Sequence, residues 1–226
     1  WVEDGFGLVR HVMRWFRRAG TKPTIGKTTS VLPTEPTEHI SLVLNVVYHQ
    51  LHPERKYHIL DLGAASGSNV DFFSQFRCKI HIEDLYQTLS SFDFLSPEDG
   101  FSYDVVYDYL LPYGRNTSFD LIFAWDLFNY MEEEEVHHLV LYLGKFCRTG
   151  TLLFSLISTS KHIPESPTKF KILDQEHLQY EVSSPVLRPC PRYQKTDLTR
   201  LMPHFRVCNS FLLRNGFKEY LFSYES

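Results

Sequence analysis

The stretch Ile59-Leu60-Asp61-Leu62-Gly63-Ala64-Ala65-Ser66-Gly67-Ser68-Asn69-Val70 constrains the fold more than any other part of the chain. An apolar run ends in an acid, passes through small residues and opens an amphipathic segment, which predicts a strand, a tight turn and a helix. Small residues let a ligand lie against the backbone, and a helix start offers unpaired N–H groups. The same rhythm continues downstream. Strands are predicted at 57–62, 78–82, 119–125 and 151–157, with a further one at 104–107. Helices are predicted at 69–76 and at 132–146, the latter with Val136, Leu139, Val140 and Leu143 inward. Near-continuous apolar strands alternating with helices indicate an α/β protein whose parallel sheet is covered on both faces.

The flanks differ from this centre. Residues 1–20 read as a helix with Leu8, Val9, Val12, Met13 and Phe16 on one side and Arg10, Arg14, Arg17 and Arg18 on the other. The Thr- and Pro-rich residues up to 37 read as a linker, so 1–37 forms a basic helical arm, a candidate lid, ahead of a domain at 38–226. A helix is expected to start after Thr37, burying Leu42, Val43, Val46, Val47 and Leu51. Residues 158–192 carry five prolines and break the alternation, which suggests a substrate-binding insertion at about 158–195. A short helix follows at 196–202. Two β-rich runs, 207–213 and 217–224, flank Arg214-Asn215-Gly216, and Asn-Gly at such a place predicts an antiparallel hairpin.

Composition excludes several classes. At 226 residues and 43% hydrophobic, the chain supports one large core and is not disordered. A net charge of −4 gives no global field to recruit nucleic acid or an anionic membrane. No apolar run reaches the ~18 residues that span a bilayer. Cys78, Cys147, Cys190 and Cys208 are widely spaced without a C-x-x-C, which fits reduced thiols in the cytoplasm. The chain begins at Trp1 and so reads as a fragment of a longer protein.

A dinucleotide turn requires G-x-G-x-x-G, whereas the chain reads G-x-A-x-G from Gly63 and places Asp61 where it would oppose a phosphate. An acid there suits a cationic ligand. Asp-Leu-Gly-Ala-Ala-Ser-Gly resembles the first motif, D-x-G-x-G-x-G, of the class I S-adenosylmethionine-dependent methyltransferases, with Ala65 in place of one glycine. Glu83-Asp84 after the second strand, Asp108 before Leu110-Leu111-Pro112, and Phe119-Asp120-Leu121-Ile122 match the family's later motifs in order. The resemblance covers about residues 40–226. It implies a Rossmann-like, seven-stranded, mostly parallel sheet with an antiparallel C-terminal hairpin and helices on both faces.

The resemblance also implies S-adenosyl-L-methionine as cofactor and S-adenosyl-L-homocysteine as product. Asp61, Gly63, Ala64, Ala65 and Gly67 would cradle the methionyl end. Glu83 or Asp84, with Glu83 favoured, would take both ribose hydroxyls. Asp108 would contact the adenine amino group, and Phe94 or Tyr109 would cover the adenine face. Asp126 and Tyr130, just past the fourth strand, occupy the place of acceptor-contacting groups. The run Ala124-Trp125-Asp126-Leu127-Phe128-Asn129-Tyr130 lacks (N/D)-P-P-(Y/F), so DNA bases are disfavoured as acceptors. In the insertion, Arg188, Arg192 and Tyr193 around Pro189 and Pro191 suit an anionic substrate, or form a proline-pinned surface loop.

Other motifs carry less. His137 and His138 are adjacent and point to different helix faces, so no metal site is expected. Gly26-Lys27-Thr28 lacks the spacing and preceding strand of a phosphate loop. The basic arm suits a lid, an RNA contact or a solvated face. The expectation is therefore a methyltransferase acting on an oxygen or nitrogen of a substrate, a small molecule being favoured and protein or RNA open. The alternatives are a cofactor-binding scaffold without turnover and a nicotinamide-dependent oxidoreductase.

Overall fold

The computed structural model describes residues 35–91, 102–114 and 116–225. In chain order these form β1 (Thr37–Ile40), α1 (Leu42–Gln50), β2 (Lys56–Asp61), α2 (Gly67–Ser74), β3 (Arg77–Ile82), α3 (Leu85–Ser91) and α4 (Tyr103–Leu110). Then follow β4 (Leu121–Trp125), a 3-10 turn (Leu127–Tyr130), α5 (Glu133–Gly144), β5 (Leu152–Ser158), β6 (His162–Pro164) and β7 (Lys169–Ile172). The chain ends with β8 (His177–Glu181), β9 (Leu187–Pro189), α6 (Lys195–Leu201), β10 (Phe205–Leu212) and β11 (Phe217–Tyr224). The basic arm at 1–20, the Gly26-Lys27-Thr28 run and Phe94 lie outside the described residues.

The central sheet runs β10-β11-β5-β4-β2-β3. β3, β2, β4 and β5 are parallel, and β11 and β10 are antiparallel neighbours at one end. The apolar runs read as strands form the parallel centre because side chains on both of their faces are buried. Leu60, Ile122 and Leu153 pack with α4, α5 and α6 on one side. Ile59, Leu121, Phe123 and Phe154 pack with α1 and α2 on the other. The hairpin between β10 and β11 turns at Asn215-Gly216, where Gly216 has φ +84°, a conformation open to glycine.

Three expectations need correction. The sheet has six strands among the described residues, not seven, and 104–107 is not a strand. It lies in α4, where Tyr103, Tyr107 and Leu110 face the core at helical spacing while Asp104, Asp108 and Tyr109 face solvent. In α1 the inward set is Val43, Leu44 and Val47, with Leu42 exposed. The Ser41 hydroxyl caps this helix at the Leu44 N–H, and Glu219 of β11 accepts from the Val43 N–H, fixing the register one residue on.

The insertion after β5 is built of short strands rather than loop. β6 pairs with β9, and β7 and β8 form a hairpin extended by β1 on the β8 side. Phe170, Ile172, Leu178 and Tyr180 turn into the same core as α1 and α2. The hairpin is thereby held over the glycine-containing loop that leaves β2. Among the described residues no helix is long and apolar enough to cross a membrane.

Candidate functional site

Asp61 ends β2 with only 2% of its surface exposed. One carboxylate oxygen accepts from the Gly63 N–H at 3.0 Å and from the Trp125 indole N–H at 2.6 Å. The other lies 3.5 Å from the Asn69 amide nitrogen. Burial pushes the Asp61 carboxyl upward, opposed by the three donors. The motif acid is thus enclosed by its own fold.

Trp125 was not singled out from the sequence. It terminates β4 after a register irregularity between Phe123 and Trp125, with φ 46°. This left-handed turn carries the indole back across the end of β2. There it stacks on Phe123 at 4.9 Å and on Phe170 of β7 at 5.3 Å, the latter pair 5° from parallel. A Cβ built on Gly63 would lie 2.5 Å from Trp125 Cδ1, so glycine is required there by the indole. At Gly67 a Cβ would meet nothing within 4 Å, and both Gly67 and Ala65 are exposed.

Asn69, in the first turn of α2, was also missed. Its side-chain oxygen accepts from the Ile172 N–H at 2.8 Å and its nitrogen donates to the Phe170 carbonyl at 3.3 Å. The amide pairs with the free edge of β7 as a neighbouring strand's peptide group would. It ties the insertion directly to the β2 loop.

Next to this closure is a cavity of about 200 Å³. Leu62, Gly63 and Ala64 line it from the loop, Asp84 and Tyr86 from the end of β3 and the start of α3, and Trp125 and Asp126 from the end of β4; Pro167 and Thr168 of the insertion close it. Of the two acids after β3, Asp84 is the one on the cavity, where it also accepts from the Gln87 N–H at 3.1 Å. Glu83, the favoured ribose ligand, instead accepts from the Tyr113 hydroxyl at 3.3 Å. Asp108 sits on an exposed helix face and accepts from the Tyr142 hydroxyl at 2.7 Å, and Tyr109 is 69% exposed. Neither lines the cavity.

Asp126 is buried, and one of its oxygens accepts from the Thr168 N–H at 3.0 Å. Burial pushes its carboxyl up to about 7, so it sits between charge states at neutral pH. Asn129 braces this corner by donating to the Asp126 and Leu156 carbonyls and accepting from the Ser158 N–H. Tyr130 is buried and donates to the Ser166 carbonyl at 2.9 Å; burial and the nearby Asp126 raise its phenol, which stays protonated. The Arg188 guanidinium is half-buried over the Tyr130 ring at 5.7 Å. Arg192 is exposed, and Tyr193 is buried with its hydroxyl on the Met131 carbonyl at 2.7 Å. The Arg188, Arg192 and Tyr193 set is therefore not convergent: Arg188 alone faces the corner that Tyr130 forms.

Among the described residues no group of three or more His, Cys, Asp or Glu is arranged to hold a metal ion. His137 meets the Leu201 carbonyl, and His138 stacks on Tyr103 at 4.2 Å. A larger, shallower groove of about 610 Å³ lies between α1, α2 and the β7–β8 turn and contains none of the residues expected to act.

No protein-family model matches the chain, and no curated protein matches it. Among solved structures, it is similar to an S-adenosylmethionine-dependent methyltransferase from Clostridium acetobutylicum, with 12% identity over 82% of this chain and 89% of that one and a TM-score of 0.49. It is also similar to a TehB-like SAM-dependent methyltransferase from Corynebacterium glutamicum, with 12% identity over 96% and 97% of the two chains and a TM-score of 0.44. A third is the Burkholderia thailandensis 1,6-didemethyltoxoflavin-N1-methyltransferase with bound 1,6-didemethyltoxoflavin and S-adenosylhomocysteine, with 13% identity over 82% and 78% and a TM-score of 0.45.

Proposed function

We propose that the chain is an S-adenosylmethionine-dependent methyltransferase acting on an oxygen or nitrogen nucleophile of a small molecule. The observation that carries this reading is the position of the cavity. β3 lies on one side of β2 and β4 on the other, so strand order reverses between β2 and β4. Open α/β sheets bind ligands in the crevice beyond the carboxyl ends of the strands at such a point. Here that crevice holds the glycine loop, an acid after β3 and Asp126 after β4.

The fit to the cofactor is uneven. On the nucleoside side Asp84 lines the cavity, and a carboxylate is the group a ribose diol requires. On the amino-acid side the fit fails as the side chains stand, because the Trp125 indole covers Gly63 and holds Asp61. The cavity of about 200 Å³ is also below the roughly 300–1,000 Å³ of drug-sized sites. When bound, the cofactor would supply an electrophilic methyl group with its own leaving group.

The chain's own residues supply the rest. Asp126, with its carboxyl near 7, is poised to accept a proton from an acceptor group in the cavity, and Thr168 fixes its orientation. Tyr130 does not line the cavity; it supports the lining residue Ser166 from behind and gives Arg188 a ring to rest on. The free thiols of Cys78, Cys147, Cys190 and Cys208 suit the reducing cytoplasm.

A second reading, a cofactor-binding or scaffold protein without turnover, is favoured by the Trp125 closure alone. Calorimetric titration with S-adenosylmethionine, S-adenosylhomocysteine and NAD tests the main reading. Micromolar binding of the first two and none of NAD is expected; silence from all three on folded protein, persisting when Trp125 is replaced by Leu, refutes it. Conversion of the bound cofactor to S-adenosylhomocysteine, with a small-molecule extract as acceptor, separates the enzyme from the scaffold.

A further inference from the structure

We propose that Trp125 is a plug in the cofactor cradle: its indole and the amino-acid end of the cofactor take the same place over Gly63, so binding requires the indole to leave. The inference rests on the cofactor reading above and adds what the chain must do to admit its ligand.

Three features converge on it. The indole fills the space a Gly63 side chain would take, with Cδ1 2.5 Å from the Cβ position. Its N–H, 2.6 Å from the Asp61 carboxylate, supplies the donor that a ligand ammonium would otherwise bring. Its outer face is sealed by Phe170, whose strand is held to the β2 loop by Asn69 and to the β4 end by Thr168 on Asp126. Plug and strap are therefore one unit. Release of β7 uncovers the indole, and departure of the indole uncovers both Gly63 and Asp61.

The chain has three tryptophans, and Trp1 and Trp15 lie outside the described residues. With both replaced by Phe, emission reports Trp125 alone. S-adenosylhomocysteine is titrated into this protein, into its Trp125→Leu variant and into a Phe170→Leu variant, with calorimetry for affinity and circular dichroism for folding. In the protein retaining Trp125, binding should shift the emission to longer wavelength as the indole leaves its stack. Trp125→Leu should bind about tenfold more tightly, because no charge-assisted hydrogen bond has to be broken first. Phe170→Leu leaves Gly63 and Asp61 untouched, so a gain in the same direction there identifies the strap and guards against a folding defect in Trp125→Leu. Binding with unmoved emission, or equal or weaker binding by folded Trp125→Leu, overturns the plug and leaves the cofactor reading intact. Absence of binding in all three folded proteins overturns the cofactor reading itself, and the plug with it.

Discussion

Truncation of Asn69 to Ala is the sharpest test of how the insertion is attached. The side chain is 3% exposed and joins three elements at once. Asn69→Ala leaves the Ile172 N–H and the Phe170 carbonyl without their present partners on a buried strand edge, and takes one donor from Asp61. A buried polar group left unsatisfied costs about 1–3 kcal/mol. Two such groups, with some rescue by water at the edge of β7, give about 2–4 kcal/mol. For a chain of this size about 2–4 °C of melting temperature follows each kcal/mol, so the midpoint should fall by roughly 4–16 °C. Thermal melting by circular dichroism reads this directly, and hydrogen exchange of residues 169–172 should accelerate more than that of β4 or β5.

The near-isosteric Asn69→Asp separates hydrogen bonding from volume. It keeps an acceptor for Ile172, loses the donor to Phe170, and sets a second carboxylate against Asp61, whose oxygen is now 3.5 Å from the amide nitrogen. Two like charges so close raise each other's pKa values. The variant should therefore be most destabilised above neutrality and recover as the pH falls. A midpoint for Asn69→Ala within about 1 °C of the parent, or an Asn69→Asp deficit independent of pH, would falsify the view that Asn69 latches β7.

Asp126 and Asp108 give two further tests. The Asp126 carboxyl is raised from 3.8 to about 7, so between these values the folded state keeps a proton that the unfolded state has lost. Stability then falls as pH rises through that window, contrary to a salt-bridged carboxylate, and Asp126→Asn should remove this part of the slope. Melting from pH 5 to 8 compares the two proteins. Glu135, also raised to about 7, contributes equally to both curves and cancels. A parent no more acid-favoured than Asp126→Asn would show that Asp126 titrates normally. Asp108→Ala should leave S-adenosylhomocysteine affinity unchanged and cost about 1 kcal/mol through the lost Tyr142 contact; a tenfold loss of affinity by calorimetry would return Asp108 to the site.

What the sequence disclosed and what it hid differ in the range of the interactions involved. The loop after β2 was legible because a short local pattern, acid then small residues then helix, encodes a backbone geometry. The Asn215-Gly216 hairpin and the inward face of α5 were legible for the same reason. The helix at 103–110 was taken for a strand at 104–107 although a local signal existed: Tyr103, Tyr107 and Leu110 recur at helical spacing. The insertion offered strands of three to five residues, too short for any periodicity to register.

Trp125 is a different kind of omission. In the sequence it is one more apolar residue at the end of a buried strand, and nothing adjacent marks the left-handed turn that carries it across β2. Its role depends on Gly63, 62 positions earlier, and on Phe170, 45 positions later, with which it stacks. The glycine that looked like an accommodation for a ligand is, in this structure, an accommodation for a tryptophan. One residue thus serves two readings, and the motif cannot tell them apart because both require the same missing Cβ. The choice lies in whether the indole can be displaced, a property of packing strength and not of sequence pattern. That places the functional question on Trp125 and its strap rather than on the motif that first drew attention.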